Sequence, residues 1–186
     1  VATLRAGLDA GIELSVDGEE VVARCDASQL RQVLWNLVGN ANQAVLGVER
    51  RPGRVALHVG REGADAVIMV DDNGPGVPAD IRPRVFEPFF TTRPEGTGLG
   101  LATVHQVLAQ QGGRISLEDS PLGGARFTVR LPIATAPVLD AAGAVGPLNV
   151  TLSISARVDD PSFRSATFDE VRDAYAEQIH GLVDGG

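Results

Sequence analysis

The stretch from Asp71 to Leu101, DDNGPGVPADIRPRVFEPFFTTRPEGTGLGL, constrains this chain more than any other. A buried-strand pattern, Ala66 to Val70, leads into it, and a helical pattern from Leu99 through Val107 and Leu108 leads out. Loops of this length without regular structure are uncommon in compact domains and are usually functional or disordered. Phe86, Phe89 and Phe90 and the scarcity of isolated charges argue against plain disorder. Two glycine clusters, Gly74/Gly76 and Gly96/Gly98/Gly100, allow positive φ and close approach of backbone to a ligand. The second cluster runs into a helix N-terminus, whose free N–H groups suit an anion. The plain reading is a long ordered loop, and the sharper one is a lid over a nucleotide. A Gly-x-Gly turn before a helix does not decide between them.

A second stretch bears on the choice. Gln29 to Val48, QLRQVLWNLVGNANQAVLGV, carries Leu30, Val33, Leu37, Ala41, Ala44 and Val48 at helical spacing, a core-facing stripe. Asp26 or Ser28 can cap this helix. Beside the apolar stripe runs a second one made of amides, Gln32, Asn36, Asn40 and Gln43, with Asn36 and Asn40 one turn apart. Solvated helix faces usually carry Lys, Glu and Arg, and none occurs between Arg31 and Glu49. An Asn side-chain oxygen is a hard neutral ligand, suited to a Mg²⁺ that keeps waters and takes its other ligands from phosphate. The carboxylates of Asp71 and Asp72, after a buried strand and beside Gly-Pro-Gly, can accept a hydrogen bond from a ligand, although Asp-Asn-Gly is also ordinary turn chemistry.

The remaining pattern sets the fold. Val1 to Gly11 reads as the end of a helix. Ile12–Val16 and Val21–Cys25 read as two strands joined at Asp17-Gly18, a hairpin. Arg54–Arg61 is a strand, Leu99–Gln111 a helix stopped by Gly112-Gly113, and Arg114–Glu118 and Ala125–Leu131 a closing hairpin around Pro121-Leu122-Gly123-Gly124. Residues 1–133 therefore predict an α/β two-layer sandwich, a mixed, mainly antiparallel sheet with helices on one face. The 186 residues, 44% of them hydrophobic, suffice for such a core, and Val1 in mid-helix suggests a piece of a longer protein. A net charge of -8 argues against nucleic-acid or anionic-membrane partners. The single Cys25 excludes an intrachain disulfide and a multi-cysteine zinc site. No apolar run approaches the roughly 18 residues that span a bilayer, and no signal peptide is visible.

Four motifs in one order resemble the ATP-binding catalytic domain of sensor histidine kinases, within the Bergerat-fold ATPases. NLVGNANQA looks like the asparagine motif, DDNGPG the first glycine motif, FEPFFTT the phenylalanine motif and GTGLGL the second glycine motif. The resemblance spans about residues 3–133. It implies ATP and Mg²⁺ as cofactors, with Asn36 and Asn40 as catalytic residues and Asn40 as the metal ligand. Asp72 would receive the adenine amino group, and Gly74 and Gly76 would let the backbone pass the base. Gly96, Thr97, Gly98, Leu99 and Gly100 would close on the phosphates, with Arg93 adding charge. Gln43 stands where many relatives carry Lys, a form similar to the nitrogen-regulation and oxygen-sensing branch. Phe86, Phe89 and Phe90 would anchor the lid. The family transfers phosphate to a histidine on a separate dimerisation domain and then to a response regulator. His58, His105 and His180 do not resemble that acceptor, so the segment is expected to depend on another domain; without that domain's helices it is expected to be monomeric, and it is expected to be cytoplasmic within a full-length protein that could be membrane-anchored. No P-loop or Ser/Thr-kinase signature occurs. The rivals are a related Bergerat ATPase or anti-sigma-type Ser kinase, and a non-catalytic ATP-binding or interaction module.

From Ala134 the character changes. Residues 134–146 read as a linker or a strand torn from its sheet. Residues 147–186 read as a tail with one helix, capped by Thr167 with Glu170 and carrying Phe168, Val171, Tyr175, Ile179 and Leu182 on one face. GAVGPLNVTLSIS and VDDPSFRSATFDEVRDAYAEQIHGLVDGG resemble part of the homocysteine-binding domain of cobalamin-dependent methionine synthase, over about Ala141–Gly186. One β/α unit cannot close a barrel, so no methyltransferase activity is expected. The tail is expected to pack on the preceding domain or stay mobile.

Overall fold

A computed structural model of the chain describes residues 8, 11–47, 52–94, 96–133 and 149–152. Its main sheet has five strands in the order β1 (Ile12–Gly18), β3 (Gly53–Glu62), β4 (Asp65–Asp72), β6 (Ala125–Pro132) and β5 (Arg114–Asp119). The β1–β3 pair is parallel and the other three pairs are antiparallel. Two helices, α1 (Ala27–Leu46) and α2 (Gly100–Gln110), pack together against the sheet. A short second sheet pairs β2 (Val21–Arg24) with β7 (Asn149–Leu152).

Alternation explains the layering. Leu14, Val55, Leu57, Val59, Ile68, Val70, Phe127, Val129 and Leu131 are buried in one core cluster with the helix residues Leu30, Val33, Leu37, Val45, Val104 and Leu108. Complete burial of a side chain such as Leu37 or Val33 contributes about 1.5–3 kcal/mol. The helical stripe differs slightly from its sequence expectation. Val38 and Val45 are buried with Leu30, Val33, Leu37 and Ala41, whereas Ala44 is half-buried and Val48 lies outside the described residues. Asp26 is the cap: its Oδ1 accepts from the amides of Ser28 and Gln29 at 2.8 and 2.9 Å. Gln111, at the end of α2, accepts from the Asp26 amide at 2.8 Å and donates to Gln29 at 3.0 Å, tying the two helices at that end.

The expected hairpin of the first two strands is not formed. Gly18 has φ +129°, and a Cβ there would lie 1.8 Å from the Val59 carbonyl oxygen. The Glu19 amide then donates to that oxygen at 2.9 Å. Asp17-Gly18 thus continues the β1–β3 ladder and diverts the chain, instead of folding it back. β2 crosses onto the helix side, where Val21, Ala23 and Cys25 join the core and burial pushes the Cys25 thiol up to about 11, an inert form. Its ladder partner is the distant β7, so four residues of the expected tail belong to the fold and Leu152 is buried in the core. The other expected tail elements, the linker and the helix around Phe168, lie outside the described residues, as does most of the first helix. Among the described residues no helix is long and apolar enough to cross a membrane.

Candidate nucleotide site

The site lies where β4 ends, between α1 and the loop that precedes α2. Asp72, the last residue of β4, is 2% exposed. Its Oδ1 accepts from the Gly74 amide at 2.8 Å and the Ala125 amide at 3.2 Å. Its Oδ2 accepts no hydrogen bond among the described residues. Burial pushes the Asp72 carboxyl above the ordinary carboxylate range, more strongly than the two amides and the Arg93 charge hold it down. A buried, fixed carboxylate with one oxygen unused is a preformed acceptor for a ligand N–H. Gly74 is required here: a Cβ would lie 2.9 Å from both the Ala44 Cβ and Asp72 Oδ1.

Behind this carboxylate stands a brace that the sequence does not announce. A Cβ on Gly124 would lie 2.1 Å from Asp72 Oδ1, and the Gly124 amide donates to the Asp72 carbonyl at 3.1 Å. On the opposite face of β4, Arg126 forks onto Asp71 at 2.8 and 2.9 Å, and the Ser120 hydroxyl donates to Asp71 at 2.7 Å. These contacts fix β4 against β6 next to Asp72. The Pro121–Gly124 segment is a turn by sequence; only the β4–β6 pairing brings it to Asp72. A cavity of about 290 Å³ opens beside it, between the Pro75–Pro78 loop and the Asp119–Gly124 turn. Gly76 and Gly124 line it and the α1 amides do not.

The other end is made by α1 and the loop. Asn36 and Asn40 are half-buried on α1. A Cβ on Gly100 would lie 3.3 Å from Asn36 Oδ1, so the N-terminus of α2 packs directly on the amide stripe. Arg93 reaches across from the loop, donating to Gln43 Oε1 and, at 3.4 Å, to the Asn40 carbonyl. The Leu99 amide donates to the Thr97 hydroxyl at 3.4 Å, and Thr97 and Gly96 are exposed. The structure therefore gathers Asn36, Asn40, Gln43, Arg93 and Gly100 around one region and Asp72, Gly74 and Gly76 around its neighbour. Among the described residues no cluster of three or more His, Cys, Asp or Glu could hold a metal. The donor set is neutral amides beside a helix N-terminus, which fits a Mg²⁺ carried in with phosphate oxygens and not a metal held by protein charge alone.

The aromatic anchor is only partly as expected. Phe86 packs edge-on to Phe127, with centroids 6.5 Å apart, and against His105. Phe90 lies under the Arg84 guanidinium at 4.6 Å. Phe89 is not an anchor: it is 75% exposed, with φ 67°, and its backbone does the fastening by donating to the Gly98 carbonyl at 3.0 Å. Gly98, at φ +68°, has no room for a Cβ, which would lie 2.4 Å from the Phe89 carbonyl carbon.

Residues 25–135 match the model of the histidine kinase-, DNA gyrase B- and HSP90-like ATPases. The chain belongs to that family. Sensor histidine kinase ZraS of Escherichia coli O157:H7 is 43% identical over 110 residues, covering 59% of this chain and 23% of that protein. Signal transduction histidine-protein kinase AfsQ2 of Streptomyces coelicolor is 40% identical over 145 residues, covering 75% of this chain and 25% of its own length. Nitrogen regulation protein NtrY of Azorhizobium caulinodans is 43% identical over 104 residues, covering 54% and 14%. The chain thus spans a quarter or less of the length of these three relatives. Among solved structures, the ATP binding domain of PrrB from Mycobacterium tuberculosis superposes with a TM-score of 0.57 at 34% identity, covering 68% of this chain and 84% of that one. The mycobacterial sensor histidine kinase MprB gives 0.59 at 30% identity, covering 67% and 83%. None of these relatives is a methionine synthase, and the family match ends at residue 135.

Proposed function

We propose that this chain is the ATP-binding catalytic domain of a two-component sensor histidine kinase, working on the cytoplasmic side with MgATP. One observation carries the reading: a buried acceptor, Asp72 Oδ2, stands at one end of a site whose other end is an amide stripe, a helix N-terminus and a cation. A ligand with a hydrogen-bond donor at one end and several negative charges at the other satisfies both, and ATP is such a ligand. In this reading Asp72 takes the adenine amino group, with Gly74 and Gly76 keeping the backbone clear of the base. Asn40, with Asn36 one turn earlier, would face the phosphates and hold the Mg²⁺, which would supply neutralisation of phosphate charge. Gly96, Thr97, Gly98, Leu99 and Gly100 bring the loop and the α2 amides to the phosphates, and Arg93 and Gln43 complete the enclosure.

Phosphoryl transfer needs positioning and charge stabilisation more than covalent help from the protein, which this set of side chains can supply. The acceptor is proposed to be a histidine on a helical dimerisation domain, from which a response regulator is then phosphorylated. Two local observations support a separate acceptor. His58 is paired with Asp17 across β1 and β3, and the His105 ring lies tilted against Phe86, while His180 lies outside the described residues. The domain is proposed to end near residue 133, with β7 added to it, and no activity is assigned to residues 153–186.

The test is calorimetric titration of the full chain with a non-hydrolysable ATP analogue, with and without Mg²⁺. Magnesium-dependent binding is expected. Absence of binding at millimolar nucleotide sinks the reading. A purified partner bearing the acceptor histidine should then become labelled from ATP; binding without labelling of any such partner would favour a non-catalytic module.

A further inference from the structure

Arg93 carries a positive charge whose field reaches the Asp72 carboxylate. Among the described residues it forms no ion pair; its guanidinium donates to two neutral oxygens, Gln43 Oε1 and the Asn40 carbonyl. It is half-buried, and the turn beneath it is built to aim it. The Arg93 amide donates to the Thr91 hydroxyl at 3.0 Å, that hydroxyl donates back to the Arg93 carbonyl at 3.2 Å, and the Gly96 amide donates to the same carbonyl at 3.1 Å. A guanidinium whose hydrogen bonds go to neutral oxygens keeps its full charge. The arrangement makes sense where an anion completes it.

The identity of residue 43 then matters in a specific way. A carboxylate there would hold Arg93 more firmly but cancel its charge and repel phosphate. A lysine would repel Arg93 and release the loop. Glutamine docks the guanidinium through a neutral oxygen and leaves the charge intact. We propose that Gln43 is a positioning residue for Arg93, docking the cation of the loop onto α1 while keeping its charge available to the nucleotide phosphates. The proposal rests on the ATP reading and adds to it: Gln43 acts through Arg93, across 50 residues of sequence.

Two ligands and two measurements on the full chain test it. A non-hydrolysable ATP analogue reads both ends of the site, and adenosine reads the base end alone. Amide hydrogen exchange over residues 96–100, in the nucleotide-free protein, reads the docking of the loop. Gln43→Glu should leave loop exchange as slow as in the wild type, weaken the ATP analogue about tenfold, and leave adenosine unchanged, since a close like charge near phosphate is worth on the order of 1–2 kcal/mol. Gln43→Lys should speed loop exchange about fivefold or more without touching exchange in β4. The double variant Gln43→Lys/Arg93→Gln puts the cation on the helix and the acceptor on the loop. It should return both loop exchange and ATP-analogue affinity to within about threefold of the wild type, although Arg93→Gln alone loses both.

Unchanged loop exchange in Gln43→Lys, or a double variant whose losses simply add, overturns the positioning role even if ATP binds normally. A wild-type chain that binds neither adenosine nor the ATP analogue overturns the ATP reading, and the proposal falls with it. The first failure shows in exchange data and the second in calorimetry, so the two are distinguishable.

Discussion

Around Asp72 the contacts are made by backbone amides and by groups fixed in the sheet: Gly74, Ala125 and Gly124 in front, with Asp71, Arg126 and Ser120 behind. Around Arg93 the guanidinium meets the end of the Gln43 side chain and the Asn40 carbonyl, on a turn that returns to the fold through the Phe89–Gly98 backbone bond. The first region cannot rearrange without breaking strand pairing. The second can rearrange at the expense of a few hydrogen bonds worth about 0.5–1.5 kcal/mol each. The comparison teaches that, in the proposed reading, the base end would be fixed by the sheet while the phosphate end would be assembled from parts that can separate.

The sharpest way to break this comparison is to crowd each end separately. At Gly124 a Cβ would lie 2.1 Å from Asp72 Oδ1 and 2.6 Å from both the Asp72 carbonyl oxygen and the Gly74 amide. Gly124→Ala should therefore cost at least about 100-fold in affinity for adenosine and ATP analogue alike, with about 1–3 kcal/mol of stability. Gly98→Ala, where φ is +68°, should instead spare adenosine and weaken only the ATP analogue. Equal effects on the two ligands at both glycines would show that the ends do not act independently. Isothermal titration with the two ligands and a denaturant melt decide it.

Asp72→Asn comes next in size. It keeps an oxygen for the Gly74 and Ala125 amides but replaces the free acceptor by a donor. ATP-analogue affinity should drop about 10- to 100-fold, with a smaller drop for a purine nucleotide that lacks the 6-amino group. Stability should move the other way. Because burial raises the folded pKa above the unfolded value of about 3.9, the folded state binds the proton more tightly. Its advantage is full below the unfolded pKa and is lost as pH rises through the folded one. At neutral pH the wild type carries that loss and the Asn variant does not, so the variant should be as stable or more stable there. Nucleotide affinity of the wild type should fall on acidification, at a pH above the ordinary carboxylate range. A variant that is clearly less stable at pH 7 would mean the carboxylate charge is needed to hold the loop.

A change remote from both ends sharpens the contrast further. Leu152 of β7 is 9% exposed and packs in the common core. Leu152→Ala should cost about 2–3 kcal/mol, and removal of residues 137–186 more, because β2 then also loses its ladder partner. Affinity at pH 7 should be nearly unchanged in both, provided the domain remains folded. A loss of affinity parallel to the loss of stability would mean that β2 and β7 help shape the site. Thermal melts beside calorimetry separate the two.

The sequence-readable parts were those governed by local periodicity. The α1 stripe, the burial of β4 and the limits of α2 follow from residues a few positions apart, and the structure agrees to within about two residues at each end. The amide stripe was legible because four amides in register beside an apolar face are unusual. The non-local pairings were not legible. β1 finds its parallel partner in β3, from Ile12 to Gly53, and β2 finds β7, so Asp17-Gly18 looked like a hairpin turn when it is a departure point. Gly124 looked like turn chemistry for the same reason: its contact with Asp72 is a product of β4–β6 pairing. The Gln43–Arg93 contact joins two motifs that were each visible, but nothing in either said that they touch.

Phe89 offers the smallest effect and a direct test of how the loop is fastened. A bulky residue in the left-handed region costs on the order of 1–2 kcal/mol, and at 75% exposure its ring recovers little of that by burial. Asparagine adopts the same conformation more readily and keeps the amide that bonds to the Gly98 carbonyl. Phe89→Asn should therefore stabilise the chain by about 0.5–1 kcal/mol and slow amide exchange at residues 96–100. If the variant is instead destabilised by 1 kcal/mol or more, the ring has a packing role and the backbone bond is not the main fastening. The phosphate end would then resemble the base end more closely than the contrast between Asp72 and Arg93 implies.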